Sequence, residues 1–266
     1  TLFLNYYFAS VRRINLTTYI MPKTIILIPS RMSATRLPGK PLLKINNLSI
    51  ISHVVNKAKK ANIGRVVVCT ENKSILDEVT MNGGEAILTN NQHKTGTDRI
   101  FEAFKKLKIN DVDYILNLQG DEPAIDENDI INLNNVMIEK GSDIGTMAAK
   151  INTKLLLKNE NVVKAIVEEK LNEKNFPKAL NFFRKNILAN VKNIYQHIGI
   201  YIYKVSALEK FVNLKQSKSE IENRLEQLRA IDNDITINVA LAKSSPIGVD
   251  TNEDFLAIKK IMEYKS

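Results

Sequence analysis

Three cations, Arg31, Arg36 and Lys40, stand in one short loop, Ser30-Arg-Met-Ser-Ala-Thr-Arg-Leu-Pro-Gly-Lys-Pro41, which opens directly from the apolar run Ile25-Ile-Leu-Ile28. Guanidinium and ammonium groups so placed can meet the oxygens of a polyphosphate. Pro29, Pro38, Gly39 and Pro41 turn the backbone away from a helix and let it curl around an anion. The spacing fits neither the Gly-x-x-x-x-Gly-Lys-Ser/Thr loop of ATPases nor the three-glycine dinucleotide loop. A basic surface loop after a first strand is the plain alternative. Two carboxylates could complete a phosphate site. Asp121, in Leu118-Gln-Gly-Asp-Glu-Pro123, falls just past an apolar strand and beside Gly120, and Asp250 falls in Gly248-Val-Asp-Thr251. Magnesium takes one or two carboxylates and fills its octahedron with substrate phosphates and water, so such a pair suits it. Either aspartate could instead cap a turn, with Thr251 capping the last helix toward Asp254.

A second constellation is Thr95-Gly96-Thr97 with Asp98-Arg99. A glycine between two threonines permits close approach to a flat base whose edge hydroxyl and backbone groups can read. The same residues also spell a helix start, with Thr97 as cap and Asp98 in the favourable first turn. The single cysteine, Cys69, lies inside Val66-Val-Val-Cys-Thr70 and reads as a small buried apolar residue. No internal disulfide can form, which fits a reducing, cytoplasmic setting.

The loop Arg31 to Leu42 resembles the signature of the sugar-acid cytidylyltransferase family, in particular its 3-deoxy-manno-octulosonate (Kdo) members. The other family blocks follow in order: His93-Lys-Thr-Gly-Thr-Asp-Arg99, Asn117-Leu-Gln-Gly-Asp-Glu-Pro123, His197-Ile-Gly-Ile-Tyr201 with Leu225-Glu-Gln-Leu-Arg229, and Gly248-Val-Asp-Thr-Asn-Glu-Asp254. The resemblance implies an enzyme that joins CTP to Kdo, giving the CMP sugar for lipopolysaccharide assembly and pyrophosphate. It implies catalytic Arg31, Lys40 and Asp121, and a nucleotide site of Arg31, Arg36, Lys40, Gly96, Thr97 and Arg99. Magnesium would sit on Asp121 and Asp250, and Gln119, Arg184, His197, Tyr201, Glu226 and Gln227 would hold the sugar acid. A homodimer is implied too. The chain departs from the pattern at Phe182-Phe-Arg184, where a serine precedes the arginine in the family, at Ile187-Leu188, which lacks a proline, and at Glu220-Ile-Glu-Asn-Arg224. Another acid sugar, such as 8-amino-Kdo or a sialic acid, and a non-catalytic nucleotide-binding protein are the rival readings.

With 266 residues, 44% of them hydrophobic, the chain can bury a sizeable core. A net charge of +9 suits an anionic partner. The lysines are spread over helices, as in Lys57-Ala-Lys-Lys60 and Lys105-Lys-Leu-Lys108, without aromatic interleaving, which argues against nucleic acid. No apolar stretch approaches the roughly twenty residues of a membrane span. The arginines Arg12 and Arg13 follow the apolar run at the start of the chain rather than precede it, the reverse of a secretory signal. Residues 1–20 are expected to be an extension upstream of a native start at Met21, because the sequence that resembles the family begins just after Met21-Pro-Lys; an extra peripheral helix is the alternative.

Positioning these residues requires alternating strands and helices. Strands are expected at Ile25–Ile28, Arg65–Thr70, Glu85–Leu88 and Tyr114–Leu118. Helices follow from Ile50, Val54, Val55 and Ala58, from Ile75, Leu76 and Val79, and from Ile100, Phe101, Phe104 and Leu107. That pattern predicts a mostly parallel α/β sheet, Rossmann-like, with ligands at the carboxyl ends of its strands. From about 144 to 215 shorter strands, at Val162–Val167 and Ala179–Phe183, read as an inserted smaller substrate and dimerisation lobe. The remainder is Ile198–Tyr203, a helical segment Glu220–Ile231, a strand Ile235–Ala240 and a last helix.

Overall fold

A strand that carries apolar side chains on both faces has to be covered on both sides, and Thr24–Ser30 is such a strand, with Ile25, Ile26, Leu27 and Ile28 all buried. The structure is a computed structural model that describes residues 23–33, 36–185, 191–243, 245 and 247–264. The expected extension at 1–20 and the Ile187-Leu188 pair lie outside the described residues. In chain order the first elements are β1 (Thr24–Ser30), a 3-10 turn at Lys40–Leu42, the small hairpin of β2 (Lys44–Ile45) and β3 (Leu48–Ser49), and α1 (Ile50–Ala61). Next come β4 (Gly64–Thr70), α2 (Lys73–Met81), β5 (Ala86–Leu88), α3 (Gly96–Leu107), β6 (Tyr114–Asn117), α4 (Glu127–Lys140) and β7 (Ile144–Ala149). The chain continues through α5 (Lys154–Lys158), β8 (Lys164–Val167), β9 (Ala179–Phe183), β10 (Ile194–Lys204), α6 (Val205–Val212), α7 (Lys218–Asn223), α8 (Leu228–Ile231), β11 (Ile237–Leu241) and α9 (Asn252–Glu263).

The central sheet runs β11-β7-β10-β6-β1-β4-β5, with β8 and β9 continuing from β10. Its pairings are parallel except that β10 runs against both β6 and β7, and the β8–β9 extension is antiparallel. This reversal matters for the site, because the early residues of β10 arrive at the edge where β6 and β7 end: Tyr201 faces Asn117, and His197 faces Ala148. Alternation along β1 sends Ile26 and Ile28 to one face, against α1, α2 and α4, and Ile25 and Leu27 to the other, against α3, α6 and α8. A third cluster of Ile45, Ile50, Val249 and Ile258 pins α9 onto the β2–β3 hairpin.

Two expectations need correction. The span 144–215 does not stand apart, because β7 and β10 within it are strands of the central sheet, and the β8–β9 ladder is what extends beyond. The apolar side chains of β7 are buried on both faces of that sheet, which a run of short strands in sequence does not reveal. The helical segment at 220–231 is two short helices, since Arg224 takes a left-handed conformation (φ 53°) that ends α7.

Candidate active site

The carboxyl ends of β1 and β6 and the start of α3 enclose a cleft of about 340 Å³, lined by Ser30, Arg31, Arg36, Lys40, His93, Lys94, Thr95, Gly96, Arg99, Gln119, Gly120, Asp121 and Asp250, among others. At its centre is Lys40, whose side chain is only 13% exposed. Its ammonium donates to Asp121 Oδ2 at 2.5 Å, to Asp250 Oδ1 at 3.2 Å and to the Val249 carbonyl at 2.8 Å. The Val249 N–H in turn donates to the Asp121 carbonyl at 2.9 Å, so two residues far apart in sequence are stitched side by side. Burial of Val249 in the α9 cluster makes that stitch rigid. The expected cap is present as well: Thr251 and Asp254 form a capping box for α9, which leaves the Asp250 carboxylate free to turn toward Lys40 and toward Arg36 Nη2 at 2.8 Å.

Two glycines bring the loops in. A Cβ on Gly120 would lie 2.9 Å from the Pro29 carbonyl oxygen, and one on Gly96 would lie 3.1 Å from the Pro29 ring. Both the aspartate loop and the start of α3 therefore rest on the same proline. The α3 cap is Thr95, which accepts from Asp98 N at 3.1 Å, and not Thr97 as the sequence suggests. Thr97 instead points its hydroxyl to Glu226 Oε2 at 2.8 Å. Arg99 is buried and held by Glu71, by Thr89 Oγ1 at 2.7 Å and by the Asn90 carbonyl at 3.2 Å, so it braces the wall of the cleft. Glu102 is pushed up by burial, yet hydrogen bonds from Lys106 and His93 and from the Asn90 N–H bring its pKa down to about 2, which fixes a charged partner for His93 at the cleft.

The cleft thus gathers Arg31, Arg36, Lys40, Gly96, Arg99, Gln119, Asp121 and Asp250. A neighbouring cluster holds the other expected residues. The rings of His197 and Tyr201 lie 5.5 Å apart, with Phe182 edge-on to His197 at 5.0 Å. Burial and then the Arg184 guanidinium pull the His197 pKa down to about 3, so the ring is neutral, with Nε2 3.0 Å from the Thr146 hydroxyl. Burial raises the Glu226 pKa despite the Thr97 bond, and one of its oxygens, Oε1, is buried without a hydrogen-bond partner among the described residues, with Arg229 Nη2 3.8 Å away. Gln227 is buried in the same turn. Gln119 joins the two places: it lines the cleft, and its Cγ would lie 3.7 Å from a Cβ on Gly199 of β10. His93, Lys94 and Ser30 were not singled out individually from sequence; only His93 and Lys94 carried a signal, as part of the Thr-Gly-Thr block.

Among the described residues no group of three or more His, Cys, Asp and Glu could hold a metal by itself. Asp121 and Asp250 nevertheless present hard oxygens to one point, which the Lys40 ammonium now marks as a place where a cation is stable. Such a pair fits magnesium when substrate phosphates and water complete the shell.

Residues 25–237 match the model of the cytidylyltransferase family. A 3-deoxy-manno-octulosonate cytidylyltransferase of Nitrobacter winogradskyi is 42% identical over 241 residues, 90% of this chain and 94% of that protein. The chain belongs to the 3-deoxy-manno-octulosonate cytidylyltransferase family. A second member, from Bradyrhizobium sp. strain BTAi1, is 41% identical over 91% of this chain and 98% of its own length. A solved structure of CMP:2-keto-3-deoxy-manno-octonic acid synthetase complexed with CTP superposes with a TM-score of 0.83 at 32% identity, covering 92% of this chain and all of that one. A 4-diphosphocytidyl-2C-methyl-D-erythritol synthase of Anaerococcus prevotii, 11% identical with a TM-score of 0.62 over 91% of this chain and 99% of its own, shares the fold alone with this family member.

Proposed function

We propose that the cleft binds CTP and that the His197 cluster presents Kdo to it, so that the chain makes CMP-Kdo for lipopolysaccharide assembly. The observation that carries this reading is the convergence of Lys40, Asp121 and Asp250 between a cation loop and a Thr-Gly-Thr segment at one sheet edge. Arg31, Arg36 and Lys40 would engage the triphosphate and balance the charge that develops as the leaving group departs. Gly96 admits the base against the α3 terminus, with Thr97 beside it, while Arg99 stiffens the wall. Arg184 offers a guanidinium to the sugar carboxylate, and Gln119, His197, Tyr201, Glu226 and Gln227 hold the hydroxyls. The anomeric oxygen then forms a bond to the α-phosphorus, the bond from that phosphorus to the bridging oxygen breaks, and pyrophosphate leaves. The hydroxyl proton passes to water. Magnesium, held by Asp121 and Asp250, would supply charge neutralisation and orient the phosphates.

A homodimer and a cytoplasmic location belong to the same proposal. Exposed Leu155 on α5 and Leu180 on β9 are apolar side chains that a second copy would cover, and the buried free thiol of Cys69 suits a reducing compartment. Among the described residues no helix is long and apolar enough to cross a membrane. The deciding assay measures pyrophosphate release with each nucleoside triphosphate against Kdo, 8-amino-Kdo and a sialic acid, with and without magnesium. Release only with CTP, Kdo and magnesium is the expected result. Preference for another acid sugar overturns the substrate, and CTP binding without any release overturns the reaction.

A further inference from the structure

Lysine is almost never fully buried without a partner of opposite charge, yet Lys164 on β8 has no exposed surface and forms no ion pair among the described residues. Its ammonium donates instead to two backbone carbonyls, those of Asn159 and Arg184, each at 2.7 Å. Burial accordingly lowers its pKa, with Glu160 pulling the other way and Arg184 adding to the depression. A methionine of similar length would avoid the desolvation cost, so packing gives no reason for an ammonium here.

The geometry around it does give one. Lys164 is paired across β8 with Phe183, the residue just before Arg184, and with Gln196, the residue just before His197. The Asn159 carbonyl that it holds also accepts from Val162 N at 3.1 Å and so closes the turn 159–162. That turn offers the Asn161 carbonyl to Arg184 Nη1 at 3.2 Å. One ammonium therefore fixes both ends of the arginine: its backbone directly, and its guanidinium through the turn. The Val163 carbonyl, one residue upstream, receives the His197 N–H at 2.9 Å, which ties the same strand to the histidine.

We infer that Lys164 is a positioning residue for the sugar acid, a buried clamp that aims Arg184 at the substrate carboxylate. The inference rests on the reading that Arg184 binds that carboxylate. It leaves the nucleotide cleft, built from β1, β6 and α3, untouched.

Steady-state kinetics of K164M, R184A and the double variant K164M/R184A test it, with KM measured separately for CTP and for Kdo. In K164M the KM for Kdo should rise by about tenfold, with the KM for CTP unchanged within about twofold, as expected for lost orientation of one substrate. The double variant should have the KM for Kdo of R184A alone, because the clamp acts only through the arginine. K164Q, which keeps a shorter N–H donor, should fall between K164M and the native enzyme, and it replaces K164M should that variant fail to fold. A melting temperature that drops with both KM values unchanged, an equal rise in the two, or multiplied effects in the double variant overturns the clamp. Failure of both K164M and K164Q to fold overturns it as well, by assigning the lysine to stability. R184A alone reads the underlying assignment: an unchanged KM for Kdo there refutes the carboxylate contact itself.

Discussion

Replacing Lys40 with methionine keeps the apolar stem and removes the one charge that separates Asp121 from Asp250. The two carboxylate oxygens that share the ammonium lie no further apart than the two contacts laid end to end, roughly 6 Å. Two unit charges at that distance repel by about 3 kcal/mol at an effective dielectric of 20 and by about 0.7 kcal/mol in water. Asp121 is 30% exposed and Asp250 49%, so solvent moves the answer toward the lower figure, and K40M should lose about 1 kcal/mol of folding stability without magnesium. Added magnesium should restore that loss and stabilise K40M more than the native chain, since no ammonium then competes for the carboxylates. Turnover should fall by about 10²- to 10³-fold all the same, because under the proposed function a cation that meets the reacting phosphate has gone. Urea unfolding with and without magnesium, beside a pyrophosphate-coupled assay, reads both effects. Identical magnesium stabilisation of K40M and the native protein, or turnover within about threefold, would refute the placement of a cation between the two aspartates.

D121N and D250N should each reduce turnover by about two orders of magnitude with the fold intact, as circular dichroism and the coupled assay will show. G120A forces a methyl group to within 2.9 Å of the Pro29 carbonyl, backbone against backbone, and should cost about 1–3 kcal/mol in thermal unfolding as well as displacing Asp121. The pKa of His197 falls from 6.5 in the unfolded chain to about 3 in the fold, so the unfolded state takes up the extra proton as pH drops below 6.5; the contribution is complete above 6.5 and is lost toward 3. H197N should therefore show a shallower stability decline, by about 3 kcal/mol at pH 4, and parallel curves for the two proteins would count against a neutral ring. E220Q takes from the buried Arg229 its doubly bonded carboxylate partner, now at 2.6 and 2.8 Å, and leaves it Glu226 Oε1 at 3.8 Å, so calorimetry should find a loss of about 2–3 kcal/mol.

The sequence is most legible where apolar period and chemistry are local. The strand Ala179–Phe183 is read to the residue, and the helix Ile50–Ala61 is read from its start because its buried positions recur at helical spacing. The helix Glu127–Lys140 goes unread: its asparagines and acids dilute the apolar stripe, although Ile130, Leu133 and Met137 are buried. The break at Arg224 goes unread because the left-handed position itself is an arginine, with an asparagine only one residue before it. In the site, Arg31, Lys40, Asp121 and Asp250 stand out by charge and by the turns around them. The contact of Lys40 with both aspartates depends on Val249 meeting Asp121 across more than a hundred residues of chain, which no local pattern encodes. The same holds for Thr97, whose partner is Glu226, and for Lys164, whose role exists only through two carbonyls.

Pro29 abuts both the start of α3 and the aspartate loop, and under the proposed function this makes it a common gauge for the base end and the phosphate end of the nucleotide site. Any backbone change that shifts one end displaces the other through this one residue, whose ring meets Gly96 and whose carbonyl oxygen meets Gly120. An attempt to retarget the site to a different base would thus have to leave this seat alone, and with it the Thr95 side chain that caps α3 and the Thr97 hydroxyl that Glu226 holds. Redrawn loops would lose the phosphate geometry along with the base they were meant to change.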